Sequence, residues 1–222
     1  MIIKYFFVFI AFITFSSAMT FEQVKSIEKE NGVLEALGYY KDLAQKDNTK
    51  AIFRLAMIYA KGEEIQRNIS NTFVLLTKGA TLGDKKAGYY LGKLYLNKKL
   101  AYYDEKKAYN LFLELSNANY VPAYNMMGKI LVSGIAVDKD YKLAVKYFEK
   151  ASKAGFTEAH CNLALMYASG QGVFPNFGRA HTFAKEGMKK NHPLCIKVYE
   201  DYNLRRYPED KGFKFNFYTE PE

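Results

Sequence analysis

The sequence predicts an all-α solenoid of stacked helical hairpins. Three observations carry that expectation. A set of small and apolar residues returns every 36 residues, each return has helical spacing, and Gly, Asn or Asp punctuate the chain at fixed offsets. The 222 residues are 49% hydrophobic and 25% charged, which excludes a disordered composition, and only five are Pro, which favours helices over a β-sandwich.

Residues 1–18, MIIKYFFVFIAFITFSSA, stand outside the period. One Lys precedes an apolar run from Tyr5 to Phe15, and Ser16, Ser17 and Ala18 are small. A bilayer span needs ~20 apolar residues, so the run is short for one. It reads as a secretory signal peptide cleaved after Ala18, with an uncleaved N-terminal anchor as the alternative. No Cys lies near Ala18, which argues against a lipoprotein. The expected location is periplasmic or secreted, with no membrane span left after cleavage.

Residues 19–50 read as N-terminal capping helices, a partial repeat. Residues 20–30 suit a first helix. Ala36, Tyr40, Leu43 and Asp47 match the second helix of a unit, with Gly32 at the cap position.

Residues 51–191 carry the repeats. Ala51, Leu55, Ala56, Tyr59 and Gly62 are followed one period later by Ala87, Leu91, Gly92, Tyr95 and Lys98. Ala123, Met127, Gly128, Leu131 and Gly134 come next, then Ala159, Leu163, Ala164, Tyr167 and Gly170. These positions form one helix face. The fifth residue after the leading Ala is always Ala or Gly, which lets a neighbouring helix approach closely. Gly62, Gly134 and Gly170 suit a left-handed helix end that satisfies stray carbonyls. Asn68, Asp104, Asp140 and Asn176, again 36 apart, suit N-caps of second helices. Those helices carry Leu76, Phe112, Phe148 and Ala184 in register, and Gly83, Asn119, Gly155 and Asn191 end them. One such hairpin cannot bury its apolar face alone, whereas stacked hairpins can.

Residues 192–222 read as a C-terminal cap. Leu194 to Leu204 suits a last first-type helix, with Cys195 at the Ala position, and the Phe alternation of residues 212–218 suits a short extended strip.

The stretches AHCNLALMYASGQGV with NFGRAHTFAKEG, and AYNMMGKILVSGIAV with DYKLAVKYFEKASKAG, resemble the Sel-one-like repeat of the tetratricopeptide-like α/α solenoids. The resemblance spans about residues 33–204. Residues 51–83 and 87–119 depart from it: Lys98 stands where Gly ends the helix, and EEI and KLA replace the Gly-Val turn. The resemblance implies a right-handed superhelix that acts as an interaction scaffold, with first helices lining the concave face. It implies a protein partner and no catalysis or cofactor. Small exported members also serve as adaptors or as immunity proteins against delivered toxins, which makes that use an expectation here.

Catalytic motifs are sparse. The three His are His160, His181 and His192, and there is no His-Glu-x-x-His, Cys-x-x-Cys or phosphate loop. Gly170-Gln171-Gly172 follows a helix rather than a strand, so it is no dinucleotide fingerprint. His192-x-x-Cys195 could contribute two metal ligands, but no matching cluster completes a site, and no metal is expected. His160 and Cys161 are adjacent and diverge by ~100° on a helix, so they form no dyad. Some cysteine-rich relatives of the repeat family are described as penicillin-binding or β-lactamase-like. Ser26-Ile27-Glu28-Lys29 matches their Ser-x-x-Lys, but the within-repeat Cys pairs and the other two motifs are missing. A cell-wall enzyme or binder is therefore the alternative function. Asn68-Ile69-Ser70 is a formal glycosylation sequon whose Asn already serves as a cap.

Cys161 and Cys195 fall two residues apart in register on consecutive first helices. Such helices lie ~8–10 Å apart, within reach of the ~5.5–6 Å Cα separation that a disulfide favours. The alternatives are a disulfide that pins the last unit or two buried thiols.

The formal charge is +9, and Lys4 is the only charged residue of 1–18, so residues 19–222 carry +8. The lysines are scattered, without a run of five, and in an exported chain such charge points to acidic proteins or anionic surfaces rather than nucleic acid. The first-helix positions not used by the core carry Phe53 and Met57, Tyr89 and Lys93, Asn125 and Lys129, and Cys161 and Leu165. Aromatic and Met side chains beside Lys suit a protein-binding groove, with packing between units as the bland reading. Tyr102-Tyr103, in the divergent loop, is a second candidate. A monomer is expected.

Overall fold

The structure, a computed structural model, describes residues 19–62, 64–210 and 212. Eleven α-helices and one short 3-10 helix make up the described residues, with no strand among them. The expected signal peptide, and the Phe-alternating strip beyond Gly212, lie outside them. The chain divides between Thr72 and Phe73 into two compact units.

The first unit holds helices α1 (Phe21–Asn31), α2 (Val33–Gln45) and α3 (Thr49–Lys61). Thr20 starts α1 with a capping box: its hydroxyl accepts from Gln23 N at 3.3 Å while Gln23 Oε1 accepts from Thr20 N at 2.8 Å. Gly32 has no side chain to cap α2. The carboxylate of Glu64 does so instead, accepting from Val33 N and Leu34 N at 3.4 Å each. Asn48 caps α3 and left-handed Gly62 ends it. Val24, Ala36, Tyr40, Ala51, Ile52 and Ile58 form the buried interior.

Helix α4 (Ile69–Thr81) begins in the first unit and continues into the second. The second unit adds α5 (Lys85–Tyr95), α6 (Glu105–Asn117), α7 (Val121–Ser133), α8 (Tyr141–Lys153), α9 (Thr157–Ser169), α10 (Phe177–Met188) and α11 (Pro193–Asp201). The punctuation read in the sequence appears as geometry. Asp104, Asp140 and Asn176 each accept from the backbone N–H three residues on, at 2.9 Å, and Asn68 does so at 2.8 Å. Gly83, Asn119, Gly155 and Asn191 all adopt positive φ after the second helices, and Asp47 does the same one period upstream.

Two departures follow from particular residues. Lys98 replaces the left-handed Gly, and α5 ends at Tyr95 after 11 residues, where α3, α7 and α9 run for 13. The last first-type helix was expected to reach Leu204. It stops at Asp201, Asn203 turns left-handed at φ 49°, and Leu204–Arg206 form the 3-10 helix that buries Leu204.

The small residue on each first helix has a specific task. A Cβ on Gly92 would stand 2.6 Å from Phe112 Cζ, and one on Gly128 would stand 2.5 Å from Phe148 Cε1. The close neighbour there is an aromatic ring of the second helix rather than a helix backbone. Glycine and ring size are matched: the units with Ala56 and Ala164 carry Leu76 and Ala184 at the ring's register.

Candidate protein-binding surface

The candidate positions differ in what they offer. In the first unit Phe53 and Met57 are half-buried on α3. In the second unit Tyr89 is half-buried, edge-on to Phe112 at 5.7 Å and to Tyr120 at 6.0 Å. Burial pushes its hydroxyl up to about 12. Lys93 is exposed, with its ammonium 5.5 Å from the Tyr90 ring centre and 5.9 Å from that of Tyr89. Lys129, also exposed, pairs with Glu158 at 2.8 Å, and Leu165 is half-buried against the core that surrounds Leu163 and Phe183.

Asn125 needs correction. It is 0% exposed, so no partner can touch it. Its Oδ1 accepts from Nδ2 of Asn162 at 2.8 Å, a buried amide pair between α7 and α9. The two positions are one period plus one residue apart, and it is the packing of α7 against α9 that pairs them.

Cys161 and Cys195 are joined by a disulfide, with Cα atoms 4.6 Å apart and both residues 0% exposed. It fastens α11 to α9 beneath Gly187 of α10, where any Cβ would collide with the sulfurs. Bonded in this way, Cys195 has no thiolate to offer a metal beside His192. His160 shares a hydrogen bond with Ser152, and burial holds its imidazole below the ordinary range. His181 Nδ1 donates to the Tyr207 carbonyl at 2.6 Å. Both imidazoles serve packing.

Ser26 lies in an open depression with Lys29, Glu28, Tyr40 and Arg54. Its hydroxyl donates to Glu30 at 3.0 Å. The Glu28 carboxylate accepts from Tyr40 at 2.6 Å and from the Arg54 guanidinium, whose hydrogen bond chiefly holds its pKa down.

Four exposed aromatics, Tyr39, Tyr90, Phe174 and Tyr207, escaped the sequence reading. Phe174, before Pro175, is 93% exposed, and Tyr90 is 38% exposed beside Lys93. Tyr90 follows Tyr89 at a register taken elsewhere by Arg54, Met126 and Asn162, so the period alone offered no warning.

The repeat geometry and its matched packing define a helical-repeat scaffold. The Sel1 repeat family model matches residues 49–84, 121–156 and 157–196, together just over half of the chain, and the protein belongs to that family. Residues 85–120, which the structure folds as α5 and α6, lie between the matches. Among curated proteins, protein sel-1 homolog 2 of Mus musculus is 26% identical over 157 residues, 69% of this chain and 23% of its own length. A solved protective antigen of uropathogenic Escherichia coli, with an SLR fold, is 25% identical at TM-score 0.74, covering 83% of this chain and 41% of that one. An immunity protein of Pseudomonas aeruginosa shares the fold at TM-score 0.52 and 18% identity, covering 82% and 80%. The chain thus spans about a quarter of the mouse relative's length. Among the described residues no helix is long and apolar enough to cross a membrane.

Proposed function

We propose that the protein is exported, with residues 1–18 removed as a signal peptide, and acts in the cell envelope as a monomeric, non-catalytic scaffold. It binds another protein as an adaptor or as an inhibitor of the immunity type. The observation that carries the binding reading is the exposed aromatic and cationic set on the first helices, Tyr90 with Lys93 and Lys129 with Glu158, on a framework where His160, His181 and both Cys are engaged in internal contacts. Interfaces draw their energy from such aromatic anchors. The disulfide supports export, because cytosolic thiols are kept reduced. An immunity protein built on the same fold supports the inhibitor form.

Two measurements test this reading. Intact mass of protein from the producing cell should match residues 19–222 less two hydrogens; a full-length, reduced chain refutes export. The full chain used as bait in an envelope extract should enrich a protein that the variant with Phe53, Tyr89, Lys93 and Lys129 changed to Ala does not. Equal capture by both removes these residues from the interface.

A further inference from the structure

The repeat that the family model passes over is also the most cationic part of the chain. Residues 85–107 hold seven Lys against two acidic residues, Asp104 and Glu105. Asp104 caps α6 and pairs with Lys107 at 3.2 Å, and Glu105 accepts from the Tyr103 hydroxyl and lies 3.9 Å from the Lys98 ammonium. Lys86, Tyr90 and Lys93 follow one another at i, i+4 and i+7, a single exposed stripe of α5. Lys98, Lys99 and Tyr103 extend the exposed cationic surface into the loop after α5.

This loop has a defined conformation. Asp104 N donates to Tyr95 O at 2.8 Å and Tyr103 N to Leu100 O at 3.1 Å. The Tyr102 ring stacks on Phe73, with centroids 4.0 Å apart and planes 5° from parallel. Two of the ammonium groups rest on rings, Lys93 at 5.5 Å from Tyr90 and Lys98 at 5.8 Å from Tyr103. Rings beneath ammonium groups reduce the side-chain freedom that binding would remove. The hairpin core is kept, with Ala87, Leu91, Ala108 and Phe112 buried, while the surface and loop have left the family pattern. That combination marks a surface specialised for contact.

We propose that the face formed by Lys86, Tyr90, Lys93, Lys98, Lys99 and Tyr103 docks an acidic segment of a partner protein. The inference rests on the scaffold reading above and names the partner's chemistry. Charge complementarity selects the occupant: the stripe on α5 carries no acidic residue. A protein segment fits better than nucleic acid because residues 85–120 contain no Arg, the residue that reads phosphate through a bidentate fork.

Fluorescence anisotropy with labelled poly-L-glutamate tests the proposal, with heparin and single-stranded DNA as comparison probes. The full chain should bind poly-L-glutamate, and changing Lys86, Lys93, Lys98 and Lys99 to Gln should weaken binding by about tenfold or more. Changing Lys142, Lys153 and Lys190 to Gln should leave it unaltered. Tyr90→Ala should weaken it about threefold, an effect that diffuse charge alone does not produce. All the substituted residues are exposed, and thermal melting by circular dichroism checks that each variant folds. Equal losses in the two Lys variants, no binding of poly-L-glutamate, or tighter binding of DNA or heparin with the same Lys dependence would each overturn the proposal. If the bait of the preceding section captures its partner equally well without these four lysines, the acidic-segment proposal falls and the scaffold reading stands. If the bait captures nothing, the scaffold reading falls, and the poly-L-glutamate titration still decides the patch.

Discussion

Gly128→Ala should lower stability, although Ala is the better helix former by about 1 kcal/mol. The new Cβ would lie 2.5 Å from Phe148 Cε1, 2.6 Å from Cδ1 and 2.8 Å from Cζ. Carbon atoms in contact prefer ~3.5–4.0 Å, so the ring must retreat by about 1 Å. Phe148 is 2% exposed and belongs to the core cluster with Leu131 and Leu163. Overpacking of this kind costs about 1–3 kcal/mol, so after the helix gain the net loss is up to about 2 kcal/mol. That corresponds to a melting temperature lower by up to about 8 °C in a chain of this size. Phe148→Leu alone should also destabilise, by leaving a cavity before Gly128. The double variant recreates the Ala–Leu combination of Ala56 and Leu76, and the two changes should couple favourably by at least about 1 kcal/mol. Chemical denaturation of the four proteins closes the cycle. A stabilising Gly128→Ala, or two changes that simply add, would refute the matched-size account of the repeat.

Three further outcomes are expected. Replacing Cys195 by Ser removes a cross-link spanning 34 residues, and loop entropy alone predicts a loss of about 3–4 kcal/mol, measurable by denaturant midpoint; an unchanged midpoint would show that the link adds nothing. Asp140→Ala deletes the α8 cap and should cost about 1 kcal/mol, with faster hydrogen exchange confined to the first turn of α8. The Arg54 hydrogen bond, and after it that of Tyr40, hold the Glu28 carboxyl below its ordinary 4.5, so its contribution is present above that value and lost as pH falls through the lowered one. Wild type should therefore lose its advantage over Glu28→Gln in acid melts, and a pH-independent difference would contradict the pairing.

Much of the fold was legible because each mark of the period answers a local need. An N-cap must offer an oxygen to bare N–H groups, so Asp104, Asp140 and Asn176 recur. A left-handed position tolerates Gly, Asn or Asp, so Gly83, Asn119 and Asp47 are interchangeable there. The binding surface was less legible. Exposed first-helix positions obey no packing rule, and Asn125 looked like surface until its buried partner Asn162 came from another helix.

The sequence by itself determined the helices and the caps at Asn68, Asp104, Asp140 and Asn176, since these follow from contacts a few residues apart, and it showed the 36-residue step directly. The tertiary structure alone decided the rest. It turned two Cys that were free to be thiols into the bond between α9 and α11, and it assigned Glu64 to the bare start of α2. It also showed that Gly92 and Gly128 make room for the rings of Phe112 and Phe148. Each of these joins residues 20 to 34 positions apart, and at that distance pairing is set by how helices pack, which no local spacing encodes.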